Sequence, residues 1–143
     1  MSLLFHLADI KTDPIKGKKN KLKKWISLVS TEFKKEVGDI NIIFCSNEYL
    51  LKINQQFLNH HYYTDVITFS YNENNVLAGD IFISIDQVAA NAQQFKASFD
   101  EELFRVMIHG ILHLIGFDDD TDHKRMHMHV LEDEALEKLN LSK

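Results

Sequence analysis

The sequence predicts an α+β protein in which one small mixed β-sheet packs against about five helices. Its size and composition are typical of a single globular domain, here residues 1–143, because 45% of the 143 residues are hydrophobic and 26% are charged. Segments with apolar residues at helical spacing are mixed with short β-branched and aromatic runs. Two of those runs, 66–70 and 80–84, are close enough in sequence to pair directly.

The individual elements follow from periodicity and from residues that begin or end a helix. In chain order, we expect a strand at 3–8, a helix at 20–37, a strand at 39–45, a short helix from Ser46 or Asn47, strands at 66–70 and 80–84, a helix from Ser84 or Asp86 to Phe95, a helix opened by Ser98, and a last helix at about 121–141. Leu22 and Trp25 show the helical spacing of the first helix, which Gly38 is expected to end. Ser98 with Glu101 is a capping box.

Cysteine usage and the first residues limit the class of protein. Cys45 is the only cysteine, which excludes an intrachain disulfide and a thiolate zinc cluster. It lies inside an apolar run and is expected to be a buried structural thiol, so no disulfide-linked partner is expected. The apolar start of the chain is interrupted by His6 and Asp9 and is too short for a signal peptide or a membrane-spanning helix. A cytoplasmic protein without membrane contact is the simplest expectation.

The segment H-G-I-L-H-L-I-G-F-D-D at 109–119 is the strongest functional signal in the chain. His109 and His113 are four residues apart, so on a helix they share one face and can bind one metal ion. Gly116 can end that helix and let the chain turn back, which could bring Asp119 to the same ion. Two imidazoles and one further ligand leave a tetrahedral position open, as in catalytic zinc sites.

The third ligand has two candidates. Asp119 ranks first by spacing, and the nearby His123 ranks second. His123 and His127 form another i, i+4 pair, but His127 continues into an apolar stripe of the last helix and is expected to border the core. Three further histidines are expected on the surface or in loops: His60, His61 and His129.

The residue after the first histidine distinguishes among hydrolytic metal sites. Metalloproteases with an H-E-x-x-H motif place a glutamate there as the general base, whereas this chain has Gly110. The spacing therefore favours a hydrolase other than a protease. RNA suits such a site, because its 2′-hydroxyl can be the nucleophile and its phosphate oxygens suit a cation.

The pattern H-G-x-L-H-L-x-G-[FY]-D resembles the signature of the YbeY family of metal-dependent endoribonucleases. Residues 51–57 and 64–69 are similar to the family segments L-N-x-x-[YF] and T-D-V-L-S-F, and residues 79–84 resemble G-D-I-x-I-S. The matching blocks extend over roughly residues 50 to 120 in family order, which is far more specific than a lone metal motif.

This resemblance implies a zincin-like metallohydrolase domain with one Zn²⁺ per chain. It implies cleavage of single-stranded RNA in the cytoplasm at the 3′ end of 16S rRNA, with the small ribosomal subunit as partner and a role in ribosome quality control. His109 and His113 would be catalytic through the bound metal, with residue 119 as third ligand. The chain departs from the family in having Asp119 where a histidine is usual and Leu58 where an arginine is usual.

The charge distribution leaves a second question open. The net charge is −5, but nine lysines stand against five acids through Ile40, and six of those lysines lie between Lys16 and Lys24. A solvated loop and helix start is the simpler interpretation. The alternative is an RNA-binding stripe beside the metal cleft that contacts phosphates through Lys18, Lys19, Lys21 and Lys23. Asp65 and Asp80 likewise either approach the substrate or cap turns.

Two alternatives to the enzyme remain. The first is an assembly factor of the ribosome in which the metal stabilises the turn at 116–123 without cleavage, and the loss of the family arginine at Leu58 favours it. The second is a minimal metalloprotease, which Gly110 makes less attractive.

Overall fold

The computed structural model describes residues 2–59 and 64–141, and within them the chain forms four strands and five helices. In chain order the elements are β1 (Leu3–Leu7), α1 (Lys19–Glu32), β2 (Glu36–Cys45), α2 (Asn47–Leu58), β3 (Val66–Ser70), β4 (Val76–Ser84), α3 (Ile85–Gln94), α4 (Phe99–Ile115) and α5 (Asp122–Leu141). His60 and His61, expected on the surface or in a loop, lie outside the described residues.

The four strands form one mixed sheet in the order β1-β2-β4-β3. β1, β2 and β4 are parallel, whereas β3 runs antiparallel to β4 with Val66 opposite Ile83 and Ser70 opposite Gly79. The direct pairing expected from the short connection between β3 and β4 is therefore confirmed, as is the α+β class.

The sheet buries apolar side chains on both faces. The main core combines alternate residues of β2 and β4 with α1, α4 and the end of α5, and the indole of Trp25 donates a hydrogen bond of 2.7 Å to the Ala135 carbonyl inside it. Leu50 and Ile53 of α2 form a smaller cluster with Ile67 on the opposite face. No helix of the described chain is long and apolar enough to cross a bilayer.

The first long helix is shorter than the sequence predicted. α1 ends at Glu32, and Lys34 adopts a positive φ of 59°, so Gly38 does not end the helix but lies within β2. A Cβ atom on Gly38 would lie 2.5 Å from a Val76 methyl group and 2.7 Å from the Leu77 carbonyl oxygen. Gly38 is therefore required for the close approach of β2 to β4, a long-range contact that periodicity does not reveal.

Another difference concerns His127. Its side chain is exposed on α5 and does not border the core as expected, and its ring packs edge-on against Phe117 with the centroids 5.7 Å apart. The buried side of α5 instead carries Met128, Glu132 and Ala135.

Candidate metal centre and cleft

Helix α4 is fixed at both ends by the residues that the sequence singled out. The Ser98 hydroxyl accepts a hydrogen bond of 3.1 Å from the Glu101 amide, which satisfies a free N–H group of the first turn. At the other end Gly116 adopts a φ of 125°, and its N–H group donates to the Leu112 and His113 carbonyls. The chain then turns back over the last turn of the helix.

This turn brings Asp119 to the two histidines. The Nε2 atoms of His109 and His113 are 3.0 Å apart, and the Asp119 Oδ2 atom lies 3.3 Å from the first and 3.5 Å from the second. Three ligand atoms this close are consistent with a site for one metal ion. His123, the other candidate third ligand, is exposed on the first turn of α5 and is not part of this group.

A buried carboxylate of α5 orients the first histidine. The Glu132 Oε2 atom lies 2.5 Å from His109 Nδ1, so the Nδ1–H group donates to the carboxylate and Nε2 is left free to face Asp119 and His113. Arg105 holds Glu132 from the other side, with its Nη1 donating over 3.0 Å to Oε1 and its Nη2 donating over 2.6 Å to Asp133. Metal-bound histidines commonly have such a carboxylate behind them.

The position of Glu132 on an apolar stripe is a signal in the sequence, but helical periodicity alone does not single this residue out. Glu132 is only 6% exposed and shares the buried side of α5 with Ala135 and Leu139. A carboxylate on an apolar helix stripe needs a partner, because an unpaired buried charge is strongly unfavourable. That partner is supplied by α4, which sequence reasoning did not link to Glu132.

Burial and neighbouring charges shift the pKa values of two side chains at the site, His109 and Asp65. Burial by itself would lower the pKa of His109, but the hydrogen bond and the negative charge of Glu132 outweigh it, so the pKa is raised. Burial raises the pKa of the Asp65 carboxyl, which also accepts a hydrogen bond of 3.1 Å from the Asn91 amide. Asp65 therefore holds a proton more readily than an ordinary aspartate.

The three clustered side chains open into a cleft of about 530 Å³ between β3, α4 and the end of α2. The described residues that line it are Asn54, Leu58, Thr64, Asp65, Val66, Ile67, Thr68, Ser70, His109, His113 and Asp119. Of the two acids left open by the sequence, Asp65 lines this cleft. Asp80 does not, and instead accepts hydrogen bonds from Asn41 and Tyr71.

A sequence profile described as Endoribonuclease YbeY matches residues 8–140. The chain belongs to the YbeY family. A relative from Parabacteroides distasonis named Endoribonuclease YbeY is 45% identical, with 95% of this chain and 94% of the relative covered. One from Flavobacterium psychrophilum with the same name is 51% identical over 78% of this chain and 80% of the relative. The solution structure of TM1509 from Thermotoga maritima superposes with a TM-score of 0.68 at 31% identity, covering 95% of this chain and 88% of that one.

The structure gives a physical reason for the glycine of this YbeY chain between His109 and Ile111. A Cβ atom on Gly110 would lie 2.8 Å from the Ile81 Cγ2 atom, because α4 packs directly on β4 at this point. A glutamate in that position would collide with the sheet. The general base of an H-E-x-x-H protease therefore has no room in this fold.

The lysine-rich segment lies beside the N-terminal end of α4, whereas the two histidines lie toward the other end of that helix. The Lys18 ammonium group lies 2.5 Å from Asp100 and Lys19 lies 3.4 Å from Asp13. Asp100 precedes His109 by about 13 Å along the helix axis. None of Lys18, Lys19, Lys21 and Lys23 is among the described residues that line the cleft.

Replacing Asp119 by alanine should remove the metal ion. Wild-type protein is expected to carry about one ion per chain, and Asp119→Ala to lose it, because two imidazoles alone form an incomplete site. Mass spectrometry of the metal content measures both. Asp118→Ala is the matched control, since its exposed side chain is not part of the cluster. An Asp119→Ala protein that keeps its metal would contradict the assignment.

Replacing Glu132 by glutamine should weaken metal binding without removing any direct ligand. We expect a roughly 10–100-fold loss of affinity, because the neutral amide no longer fixes the His109 ring through a charged hydrogen bond. Competition with a chelating dye measures the affinity, and circular dichroism checks the fold. Glu134→Gln, on the exposed side of α5, should match the wild type. Equal affinity of Glu132→Gln and wild type would show that the contact does not orient the ligand.

Proposed function

We propose that this protein is a zinc-dependent endoribonuclease that cleaves single-stranded RNA in the maturation of the 16S rRNA 3′ end and in ribosome quality control, acting in the cytoplasm on the small ribosomal subunit. Its family is one of endoribonucleases, which are hydrolases of RNA phosphodiester bonds. The observation that carries the proposal is the open group of His109, His113 and Asp119 at the wall of a cleft.

The donor atoms suit zinc. Two neutral imidazole nitrogens and one carboxylate oxygen form a ligand set that zinc accepts in hydrolytic enzymes, with a position left for the substrate. His109, His113 and Asp119 would hold the ion, which would supply a Lewis acid for a phosphoryl oxygen of the RNA. His109 and His113 are catalytic in this sense, through the ion they hold. Glu132 is a positioning residue that keeps the His109 ring in the orientation this requires.

A ribosome assembly factor without cleavage activity is the second candidate. It is favoured by Leu58, which lines the cleft at the position where the YbeY family usually has an arginine. In that case the metal would stabilise the turn from Gly116 to His123 and leave the RNA uncut. A metalloprotease is a weaker candidate, because Gly110 packs against Ile81 where a protease has its glutamate.

The deciding experiment compares cleavage and folding of His113→Ala with those of the wild type. The substrate is a single-stranded RNA with the precursor sequence of the 16S rRNA 3′ end. We expect wild-type cleavage that a chelator abolishes, and a His113→Ala protein that folds normally but does not cleave. His6→Ala, whose imidazole bonds to Asn41 on another part of the sheet, is the control and should remain active.

Other results would favour the alternatives. A metal-loaded wild type that binds the RNA but never cleaves it would support the assembly factor. Loss of the fold in His113→Ala together with an inactive wild type would point to a structural metal. Chelator-sensitive cleavage of casein would revive the protease.

We further propose that the lysines contribute to RNA binding, since an acidic protein needs a local positive surface to attract a polyanion. Changing Lys18, Lys19, Lys21 and Lys23 together to glutamine should weaken RNA binding and flatten its dependence on salt concentration. Fluorescence anisotropy at several salt concentrations measures both. Lys138, which pairs with Glu32, provides a single-site control. Unchanged binding would remove these lysines from the RNA-binding surface.

A further inference from the structure

The free edge of β3 borders the metal-site cleft. β3 is the last strand in the sheet order, and its second edge pairs with no strand of the described chain. The Ser84 amide donates to the Asp65 carbonyl and the Tyr71 amide donates to the Ala78 carbonyl. In an antiparallel pair the hydrogen-bonded positions alternate, so residues 65, 67, 69 and 71 face β4. The N–H and C=O groups of residues 66, 68 and 70 therefore point away from the sheet.

The same three residues line the cleft beside His109 and His113. Their outward N–H and C=O groups give the cleft a border of alternating donors and acceptors. The Thr68 hydroxyl adds another group, because it is the buried side-chain oxygen for which the described residues provide no hydrogen-bond partner. A ligand that supplies the missing hydrogen-bond partner of a buried polar group gains more binding free energy than one that bonds to a solvated group.

Apart from the candidate metal group, the described lining of the cleft offers no cationic side chain to a phosphate. Its described lining includes the acids Asp65 and Asp119 and contains no lysine or arginine. Leu58, at the end of α2, is 41% exposed and gives the lining an apolar surface. A planar neutral group with donors and acceptors on one edge fits this combination. A nucleobase is such a group, because its edge carries both kinds of hydrogen-bonding site and its face is apolar.

We propose that the cleft holds one unpaired nucleobase of the RNA, with its hydrogen-bonding edge against the free edge of β3 at Val66 and Thr68 and one face against Leu58. This subsite rests on the proposed function, since it presumes that the cleft receives RNA. It makes the recognition of single-stranded RNA a consequence of geometry, because a base within a duplex has its Watson–Crick edge paired and its two faces stacked on neighbouring bases.

The test measures binding of a fluorescent, non-cleavable 2′-O-methyl RNA by anisotropy, together with a series in which one base at a time is removed. For the wild type, we expect one position at which an abasic nucleotide weakens binding by about fivefold or more, the equivalent of roughly one hydrogen bond. Leu58→Ala and Thr68→Val should each weaken binding of the intact RNA and should lose the sensitivity to base removal at that position.

Matched controls separate a local effect from general damage. Leu28→Ala removes a leucine that is 45% exposed on α1, and Thr31→Val removes an exposed hydroxyl that bonds to the Ser27 carbonyl. Neither residue lines the cleft, so both variants should bind intact and abasic RNA as the wild type does. Circular dichroism of all four variants verifies the fold.

The outcomes distinguish a failure of the proposed base subsite from a failure of the proposed endoribonuclease function. RNA that is bound and cleaved by the wild type with no sensitivity to base removal would overturn the subsite and leave the endoribonuclease proposal standing. Equal RNA affinity of Leu58→Ala, Thr68→Val and the wild type would do the same. A metal-loaded wild type that neither binds nor cleaves RNA would overturn both. Displacement of RNA by an extended peptide, with cleavage of that peptide, would assign the open strand edge to a protein ligand and also overturn both.

Discussion

The metal centre depends on the packing of α4 against β4. Gly110 makes this packing possible, because only hydrogen fits between the helix backbone and the Ile81 side chain. Ile108 and Ile111 of this helix are fully buried, whereas the side chains of His109 and His113 are only partly buried. The helix cannot rotate without exposing its isoleucines, so the hydrophobic contact fixes the direction of both imidazoles.

A buried polar connection between α4 and α5 completes the arrangement. Glu132 lies between His109 and Arg105, and each of its two oxygens has a partner. A buried carboxylate is tolerated only with such partners, and removing one of them leaves an uncompensated charge. The orientation of the His109 ring and the packing of the last helix are therefore linked through one side chain. The hydrogen bond from Trp25 to Ala135 attaches the same helix to α1.

The two departures from the usual YbeY pattern affect different parts of the site. Asp119 keeps a ligand oxygen next to the two imidazoles, so the site retains three donors while gaining a negative charge. Leu58 leaves the described lining of the cleft without a cationic side chain. The chain thus preserves a cluster that could hold a metal ion and changes the surface of the cleft beside it.

Local patterns in the sequence determined much of the fold and the centre of the site. The i, i+4 histidine pair, the Ser98 cap, the end of α4 at Gly116 and the hairpin of β3 and β4 depend on residues close together in the chain. Backbone geometry relates such spacing directly to structure. The family resemblance rested on the same short segments.

Other features were decided only by the tertiary structure. Gly38 and Gly110 are required by strands and side chains distant in sequence, Glu132 meets His109 from another helix, and the cleft forms where β3, α4 and the end of α2 come together. Taken alone, each of these short sequence segments is compatible with several local structures. Packing selects among them, because burial and the need to pair buried polar groups act between elements that the sequence does not place side by side.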